Sequence, residues 1–232
     1  MIVYGRNVAK EILRNGKKVN KIMMQKDFSD KEIISLIEKN NLKYQILDKN
    51  DFRRFDKYSH QGIILDIEDF VYSDIDEMMN DENSVIVILD HLEDPHNLGA
   101  IIRTCEAAGI NGIIIPKDRS VGVNSTVMKT SAGALENVKI SMVTNLLQAI
   151  NTLKKNGFWI VGTDMDDSID YRKIDYSGKI GLVIGSEGNG MSKSVHDSCD
   201  FIAQIPMYGK INSLNASVAA GIMIYEVIRL KR

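Results

Sequence analysis

Several features that would point directly to a function are missing from this 232-residue chain. No apolar run approaches the roughly 18 residues of a membrane span, and the first residues form no signal-peptide pattern. Only two cysteines are present, Cys105 and Cys199, and no CxxC spacing occurs. We therefore expect a cytoplasmic protein with free thiols and no membrane partner, rather than a disulfide-bonded or zinc-binding one.

The signatures of common catalytic and nucleotide sites are also missing. A GxGxxG loop after the first strand and a GxxxxGK[ST] loop are both absent, so a dinucleotide site and a P-loop are unsupported. The four histidines have no metal-ligand spacing, and no metal is expected. No Ser/His/Asp or Cys/His arrangement is recognisable. What remains is chemistry by positioning and charge control, such as group transfer from a pre-activated donor.

The charge of the chain is unevenly distributed. The net charge is −2, which argues against indiscriminate nucleic-acid binding, but residues 1–60 hold 14 basic and 8 acidic residues. The remainder holds 15 basic and 23 acidic residues. A basic N-terminal segment followed by an acidic remainder indicates that the N-terminal segment binds a polyanion, although a solvated lysine-rich surface would have the same composition.

The hydrophobic pattern predicts two domains. Residues 1–70 indicate a compact α/β unit with helices near 8–13 and 30–40. The acidic stretch 71–83 has little apolar pattern and is interpreted as a linker. In 84–232, apolar runs predict strands separated by helices, which is typical of a parallel α/β sheet. The predicted strands are 85–89, 112–115, 138–143, 158–162, 182–185 and 201–205, and the predicted helices include 98–108, 124–135 and a last helix from 218.

Three loops should lie at the carboxyl edge of this sheet, where open parallel sheets bind ligands. They are residues 94–104, 185–190 and 205–217. Among their polar side chains, the candidates for chemistry are Arg103, Glu187, Asn97, Asn215, Ser213 and Ser217.

These loops resemble a known family. Asp94-Pro-His-Asn-Leu-Gly-Ala-Ile-Ile-Arg-Thr, Leu182-Val-Ile-Gly-Ser-Glu-Gly-Asn-Gly-Met, and Ile205-Pro-Met with Ser213-Leu-Asn-Ala-Ser-Val-Ala resemble motifs 1, 2 and 3 of the SpoU/TrmH branch of the SPOUT RNA ribose 2′-O-methyltransferases. Tyr4-Gly-Arg-Asn-Val-Ala and His60-Gln-Gly-Ile resemble the family's small α/β (L30e-like) substrate-binding domain. The likeness is greatest to the 23S rRNA guanosine-2′-O-methyltransferases.

The resemblance implies a C-terminal trefoil knot, S-adenosyl-L-methionine as cofactor and a homodimer. Three positions match the family's cofactor contacts: Gly185, Ile205 and Leu214. We add Gly188, Gly190 and Ser217 to the predicted cofactor site. Glycines make physical sense in such a loop because a side chain would block the close approach of the backbone.

The resemblance also implies the catalytic residues. Arg103 matches the family's catalytic arginine, and because a guanidinium stays protonated, we expect it to clamp a phosphate and stabilise alkoxide charge. Asn97 is expected to hold Arg103 or the ribose, or else to cap a helix. Glu187 would orient Arg103 or a loop amide, or else be an exposed carboxylate. Ser213 and Asn215 would order the pocket and the substrate, or else act as caps.

The sequence thus predicts 2′-O-methylation of a guanosine of 23S rRNA, a step of rRNA processing. Open alternatives are a tRNA ribose methyltransferase, a non-catalytic RNA-binding ribosome assembly factor and a plain nucleotide-binding protein. The motifs leave open the target nucleotide, whether the substrate is free rRNA or an assembling ribosome, and the group that accepts the hydroxyl proton.

Overall fold

The structure is a computed structural model that describes residues 1–56, 59–188 and 190–231. It divides into two compact units. The first consists of Met1–Val71 with Val123–Gly133, and the second of Tyr72–Gly122 with Ala134–Arg232. In the sequence, residues 123–133 thus lie between two parts of the second unit, although they belong to the first.

The first unit is built on a four-stranded sheet. Its strands are β1 (Ile2–Tyr4), β2 (Val19–Gln25), β3 (Tyr44–Leu47) and β4 (Ile63–Ile67). They lie in the order β1-β4-β2-β3, and only β2 and β3 are parallel. The helices are α1 (Arg6–Arg14), α2 (Lys31–Lys39) and α3 (Lys49–Phe52). The sequence predicts α1, α2 and the later strands but misses β1, which is only three residues long.

The second unit contains a seven-stranded parallel sheet. Its strands are β5 (Val85–Leu89), β6 (Gly112–Pro116), β7 (Ile140–Val143), β8 (Phe158–Thr163), β9 (Ile169–Asp170), β10 (Lys179–Ile184) and β11 (Phe201–Gln204). They lie in the order β7-β6-β5-β10-β8-β11-β9, and every pair is parallel. The parallel α/β sheet predicted from the sequence is confirmed, with β9 as an additional strand too short to give an apolar signal.

The remaining helices are α4 (Pro95–Ala108), α5 (Ser125–Ser131), α6 (Leu146–Lys155), α7 (Lys193–His196) and α8 (Ala216–Arg229). Helix α5 contacts α1 and β1, so it belongs to the first unit. The sequence predicts a longer helix over 124–135. The structure ends α5 at Ser131 because Ala132 and Gly133 have positive φ angles of 48° and 93°.

Most of the acidic stretch, residues 72–83, is grouped with the second unit, and Val71 is grouped with the first. The stretch contains a 3₁₀ helix at Ile75–Met78, where Asp74 and Glu77 form a capping box. Met78 is 1% exposed and packs in the core with Ile86 and other residues of the sheet. The burial of Met78 could not be predicted from the sequence, because a single methionine gives little apolar periodicity within an acidic segment.

Both cysteines are free thiols, as the sequence predicts. Burial raises the pKa of Cys105, and it raises the pKa of Cys199 to about 12. Both thiols are therefore protonated at neutral pH and are poor nucleophiles. Within the described ranges, every helix is too short or too polar to cross a membrane.

Candidate functional site

Three segments meet at the carboxyl edge of the seven-stranded sheet. They are residues 90–97 after β5, 185–190 after β10 and 205–217 after β11. Strands β5 and β10 are neighbours, and the backbone N–H of Asp90 donates to the carbonyl of Ile184 at 2.9 Å. The first two segments therefore leave the sheet side by side.

The start of α4 places Asn97 inside the protein. The sequence predicts a helix that begins near Leu98, with Asn97 as a possible cap. In the structure the cap is Asp94, whose carboxylate accepts from the backbone N–H of His96 at 2.8 Å, and Pro95 is the first helical residue. Asn97 thus lies in the first turn with only 4% exposure, and its side-chain amide bonds to groups outside the helix.

Glu187 connects all three segments. Its Oε1 accepts hydrogen bonds from Asn97 Nδ2 at 2.9 Å, from Asn215 Nδ2 and from the backbone N–H of Ala216 at 3.2 Å. Asn215 Nδ2 also donates to Asn97 Oδ1 at 3.0 Å. Glu187 therefore contacts amide groups of the neighbouring segments, and in the described part of the chain it forms no hydrogen bond or ion pair with Arg103. We name Asn97, Glu187 and Asn215 the amide–carboxylate cluster.

Asn215 has a second role as the cap of α8. Its Oδ1 accepts from the backbone N–H groups of Ser217 at 3.0 Å and Val218 at 3.3 Å, and from the Ser217 hydroxyl. One side chain therefore fixes the start of α8 with its oxygen and contacts Glu187 with its nitrogen. Ser213 is exposed and does not supply the cap.

The turn 185–190 requires glycine at several positions. Ser186 and Gly190 exchange two backbone hydrogen bonds of 2.9 and 3.1 Å. Gly188 and Gly190 have φ angles of 83° and 64°, which side chains rarely adopt. A Cβ atom on Gly185 would lie 2.6 Å from the carbonyl oxygen of Gly190. The turn is therefore closed on itself, with bare backbone at its surface.

A cavity of about 390 Å³ lies between this turn and the segment 205–217, and we name it the glycine cavity. Five of the six predicted cofactor-binding residues line it: Gly185, Gly188, Gly190, Ile205 and Leu214. Glu187 and Ser213 line it as well. Ser217, the sixth, is outside this lining and bonds to Asn215 instead.

A second cavity of about 520 Å³ lies beside the first. We name it the Asp90 cavity, since its lining includes Asp90, His91, Asn97 and Arg119. The two cavities share three lining residues of the same turn, which are Ser186, Glu187 and Gly190. The turn therefore forms a common wall between two adjoining spaces.

The structure does not bring Arg103 to the amide–carboxylate cluster. Arg103 is exposed on α4 and lines neither of the two cavities. Its side chain forms no hydrogen bond or ion pair with any residue that the structure describes. The guanidinium is thus available to a ligand that approaches from outside.

The cavities are also lined by residues outside the three motifs. Thr163 ends β8 and Asp164 and Met165 follow it, and all three line the glycine cavity. Their position at the carboxyl end of the predicted strand 158–162 could have indicated this role, but they belong to none of the three motifs. Asp90 and His91 were missed in the same way, because both precede the quoted motif. Among the described residues, no group of His, Cys, Asp and Glu side chains is placed to hold a metal ion.

This chain is similar to known proteins in both sequence and fold. Residues 84–225 match a family model described as the SpoU rRNA Methylase family, and residues 2–73 match one described as RNA 2′-O ribose methyltransferase substrate binding. A Staphylococcus saprophyticus protein assigned to the TrmH family of tRNA/rRNA methyltransferases is 45% identical over 237 residues, covering 99% of this chain and 95% of that protein.

Two solved structures extend the comparison. The AdoMet-bound rRNA methyltransferase from Sinorhizobium meliloti superposes with a TM-score of 0.78 at 26% identity, covering 98% of this chain and 86% of the other. The SpoU methyltransferase AviRb from Streptomyces viridochromogenes, in complex with AdoMet, has a TM-score of 0.81 at 24% identity, covering 100% and 90%, and shows a shared fold. With matches to both of its units, this chain belongs to the SpoU rRNA methylase family.

Proposed function

We propose that this protein transfers the methyl group of S-adenosylmethionine to a ribose 2′-hydroxyl of RNA, with a guanosine of 23S rRNA as substrate. The observation that carries the proposal is the amide–carboxylate cluster, which joins one residue from each of three distant segments beside the glycine cavity. Membership of the SpoU family and the similarity to an AdoMet-bound rRNA methyltransferase support the reaction class.

A tRNA ribose is the second candidate substrate. The assignment of the S. saprophyticus relative covers both tRNA and rRNA methyltransferases, so it favours neither. The chemistry at the ribose would be the same in both cases. The free cysteines fit a reducing compartment, and we place the reaction in the cytoplasm.

The glycine cavity fits S-adenosylmethionine, which when bound supplies a methyl group activated by its sulfonium. The bare backbone of the turn around Gly185 allows close approach and offers hydrogen-bonding groups. Ile205 and Leu214 add apolar surface suited to an adenine ring. The carboxylate of Asp164 lines the same cavity and can accept hydrogen bonds from ribose hydroxyls.

The residues of the site would act mainly by alignment. Holding two reactants in line contributes about 7–11 kcal/mol to lowering a barrier. Glu187 and Asn215 keep the wall of the glycine cavity in place, and Ser213 offers a hydroxyl to cofactor or substrate. Arg103, exposed and unpaired within the described chain, would bind the phosphate next to the target ribose and stabilise negative charge on its oxygen.

The first unit would bind the RNA. Arg6 stacks on Phe28 at 5.3 Å and Arg54 on Phe55 at 4.8 Å, measured from the guanidinium carbon to the ring centre. Both arginines are exposed, and such flat cationic groups suit phosphates and unstacked bases. The match of residues 2–73 to an RNA 2′-O ribose methyltransferase substrate-binding model supports this role. Residues 1–70 would therefore be the substrate domain and 84–232 the methyltransferase domain.

We also propose that the segment after β11 passes through an earlier loop as a trefoil knot. The support is the tie between its end and the turn after β10: the carboxylate of Glu187 accepts from the side chain of Asn215 and from the backbone of Ala216. A threaded segment would be difficult to displace, which would keep the glycine cavity preformed.

A homodimer is the proposed assembly, and α8 offers a surface for it. Val218 and Tyr225, seven residues apart on this helix, are 49% and 54% exposed.

We expect Tyr225→Glu to place a charge in the interface and shift the particle to the 26.0 kDa monomer in light scattering. Tyr44→Glu, on β3 of the first unit and 49% exposed, is the matched control and should leave the dimer intact. A dimeric Tyr225→Glu protein would rule out this face of α8.

The substrate is tested by mapping 2′-O-methylated nucleotides in RNA from cells with and without the protein. The proposal predicts that one guanosine of 23S rRNA loses its methyl group when the protein is absent. Loss confined to a tRNA nucleotide would favour the second candidate, and an unchanged map would contradict both.

A further inference from the structure

The carboxylate of Asp90 is held at the end of β5 by two donors. Its side chain is fully buried, and Oδ2 accepts from the backbone N–H of Ser192 at 2.6 Å and from the Ser192 hydroxyl at 2.8 Å. The other oxygen, Oδ1, is hydrogen-bonded to Nδ1 of His91. A carboxylate fixed in this way orients the ring of the neighbouring histidine.

This contact determines which nitrogen of His91 can accept a proton. An ionised carboxylate only accepts hydrogen bonds, so Nδ1 of the neutral ring carries the hydrogen and Nε2 has the free lone pair. Among the residues that the structure describes, none forms a hydrogen bond with His91 Nε2. Asp90 and His91 thus form a carboxylate–histidine pair, and the histidine is in the tautomer that a general base requires.

His91 is also in the right place. Its side chain is 28% exposed and lines the Asp90 cavity, which adjoins the glycine cavity at Glu187 and Gly190. Its φ angle is +56°, a conformation that non-glycine residues adopt rarely and that occurs often at functional sites. A hydroxyl in the Asp90 cavity would meet His91 on one side and the wall of the glycine cavity on the other.

We propose that His91 accepts the proton of the ribose 2′-hydroxyl and that Asp90 is its positioning residue. This inference rests on the proposed methyl transfer. A bond forms between the 2′-oxygen and the methyl carbon while the sulfur–carbon bond breaks, and the electron pair of the broken bond stays on sulfur. The hydroxyl proton passes to Nε2 of His91, which becomes an imidazolium paired with the Asp90 carboxylate.

The charges around the histidine agree with this role. Asp90, Glu93, Asp94 and Glu187 supply carboxylates to the lining of the Asp90 cavity, so the imidazolium formed in the reaction would lie among negatively charged side chains. Arg119, with a φ angle of +50°, is the cation in the same lining and is placed to bind a phosphate of the RNA. Proton acceptance and phosphate binding are thus available in one cavity.

The first test is His91→Asn, since asparagine tolerates a positive φ but has no basic nitrogen. We expect single-turnover methyl transfer to fall about 10²- to 10⁴-fold, the range for loss of a general base. Calorimetric binding of S-adenosylhomocysteine and the melting temperature should not change. The matched control is His96→Asn, five positions further along the chain in the first turn of α4 and outside both cavity linings, and it should transfer methyl groups at the wild-type rate.

Two further readouts separate a base from a structural residue. The wild-type rate should fall as the pH is lowered, because a protonated ring cannot accept a proton, whereas the residual rate of His91→Asn should be flat over the same range. Nitrogen-15 NMR of labelled histidine, assigned by the peak missing in His91→Asn, should show hydrogen on Nδ1 of the neutral ring.

The outcomes distinguish this inference from the proposed function. If the wild-type protein methylates RNA and His91→Asn does so at the same rate, or loses S-adenosylhomocysteine binding, His91 is not the base. A neutral ring with hydrogen on Nε2 overturns the inference as well. If the wild-type protein itself transfers no methyl group to RNA, the proposed function fails before His91 is tested.

Discussion

Arg103→Ala is expected to lower kcat by about 10²- to 10³-fold, the usual effect of removing one donor to a developing oxyanion. Binding of S-adenosylhomocysteine should be unchanged, because Arg103 does not line the glycine cavity. Single-turnover methyl transfer and calorimetry on the same preparation measure the two quantities. The expected pattern is a variant that binds the cofactor product normally and reacts slowly.

The matched variant is Arg103→Lys, which keeps the charge but cannot bind a phosphate through two parallel hydrogen bonds. Its rate should lie between those of the wild type and Arg103→Ala. Loss of S-adenosylhomocysteine binding in Arg103→Ala would show that the arginine supports the cofactor site instead. An unchanged kcat would remove Arg103 from the reaction.

Gly185→Ala should weaken binding of S-adenosylhomocysteine by about 10- to 100-fold, because overpacking costs ~1–3 kcal/mol and 1.4 kcal/mol corresponds to tenfold. The new methyl group would overlap the backbone of Gly190 and Met191, so it cannot be accommodated by turning a side chain. The turn would open and the shared wall of the two cavities would move. Isothermal titration measures the affinity, and thermal unfolding measures the loss of stability.

Gly209→Ala is the control for this substitution. Gly209 lies in the segment 205–217, but a Cβ atom there meets nothing within 4 Å and its backbone has no positive φ. Its affinity and melting temperature should match those of the wild type. If Gly185→Ala also bound S-adenosylhomocysteine as the wild type does, the glycine cavity would not be the cofactor site.

The sequence predicted the elements that have strong periodicity or long motifs. The continuous apolar runs, such as Val85–Leu89, became strands of the parallel sheet, and the three polar loops after β5, β10 and β11 converged at its carboxyl edge. Asn215 became the cap of α8, one of the two candidates that the sequence offered. These features depend on local chemistry that single residues reveal.

The features that the sequence missed depend on contacts between distant residues. Nothing local indicates that Met78 fills the space over Gly112, where any side chain would overlap its sulfur. The same holds for Asp90, which bonds to Ser192 across 102 positions, and for α5, which belongs to the first unit. Burial and long-range hydrogen bonds decide such placements, and periodicity carries no information about them.

The proposed reaction is tested most directly by methyl transfer from tritium-labelled S-adenosylmethionine to total RNA from cells that lack the protein. The RNA is digested to nucleosides after the reaction, and the labelled product is identified. We expect label in 2′-O-methylguanosine that originates from 23S rRNA. RNA that binds the protein but acquires no label, as expected for a non-catalytic assembly factor, would contradict the proposed 2′-O-methyl transfer, and so would label on a base instead of a ribose.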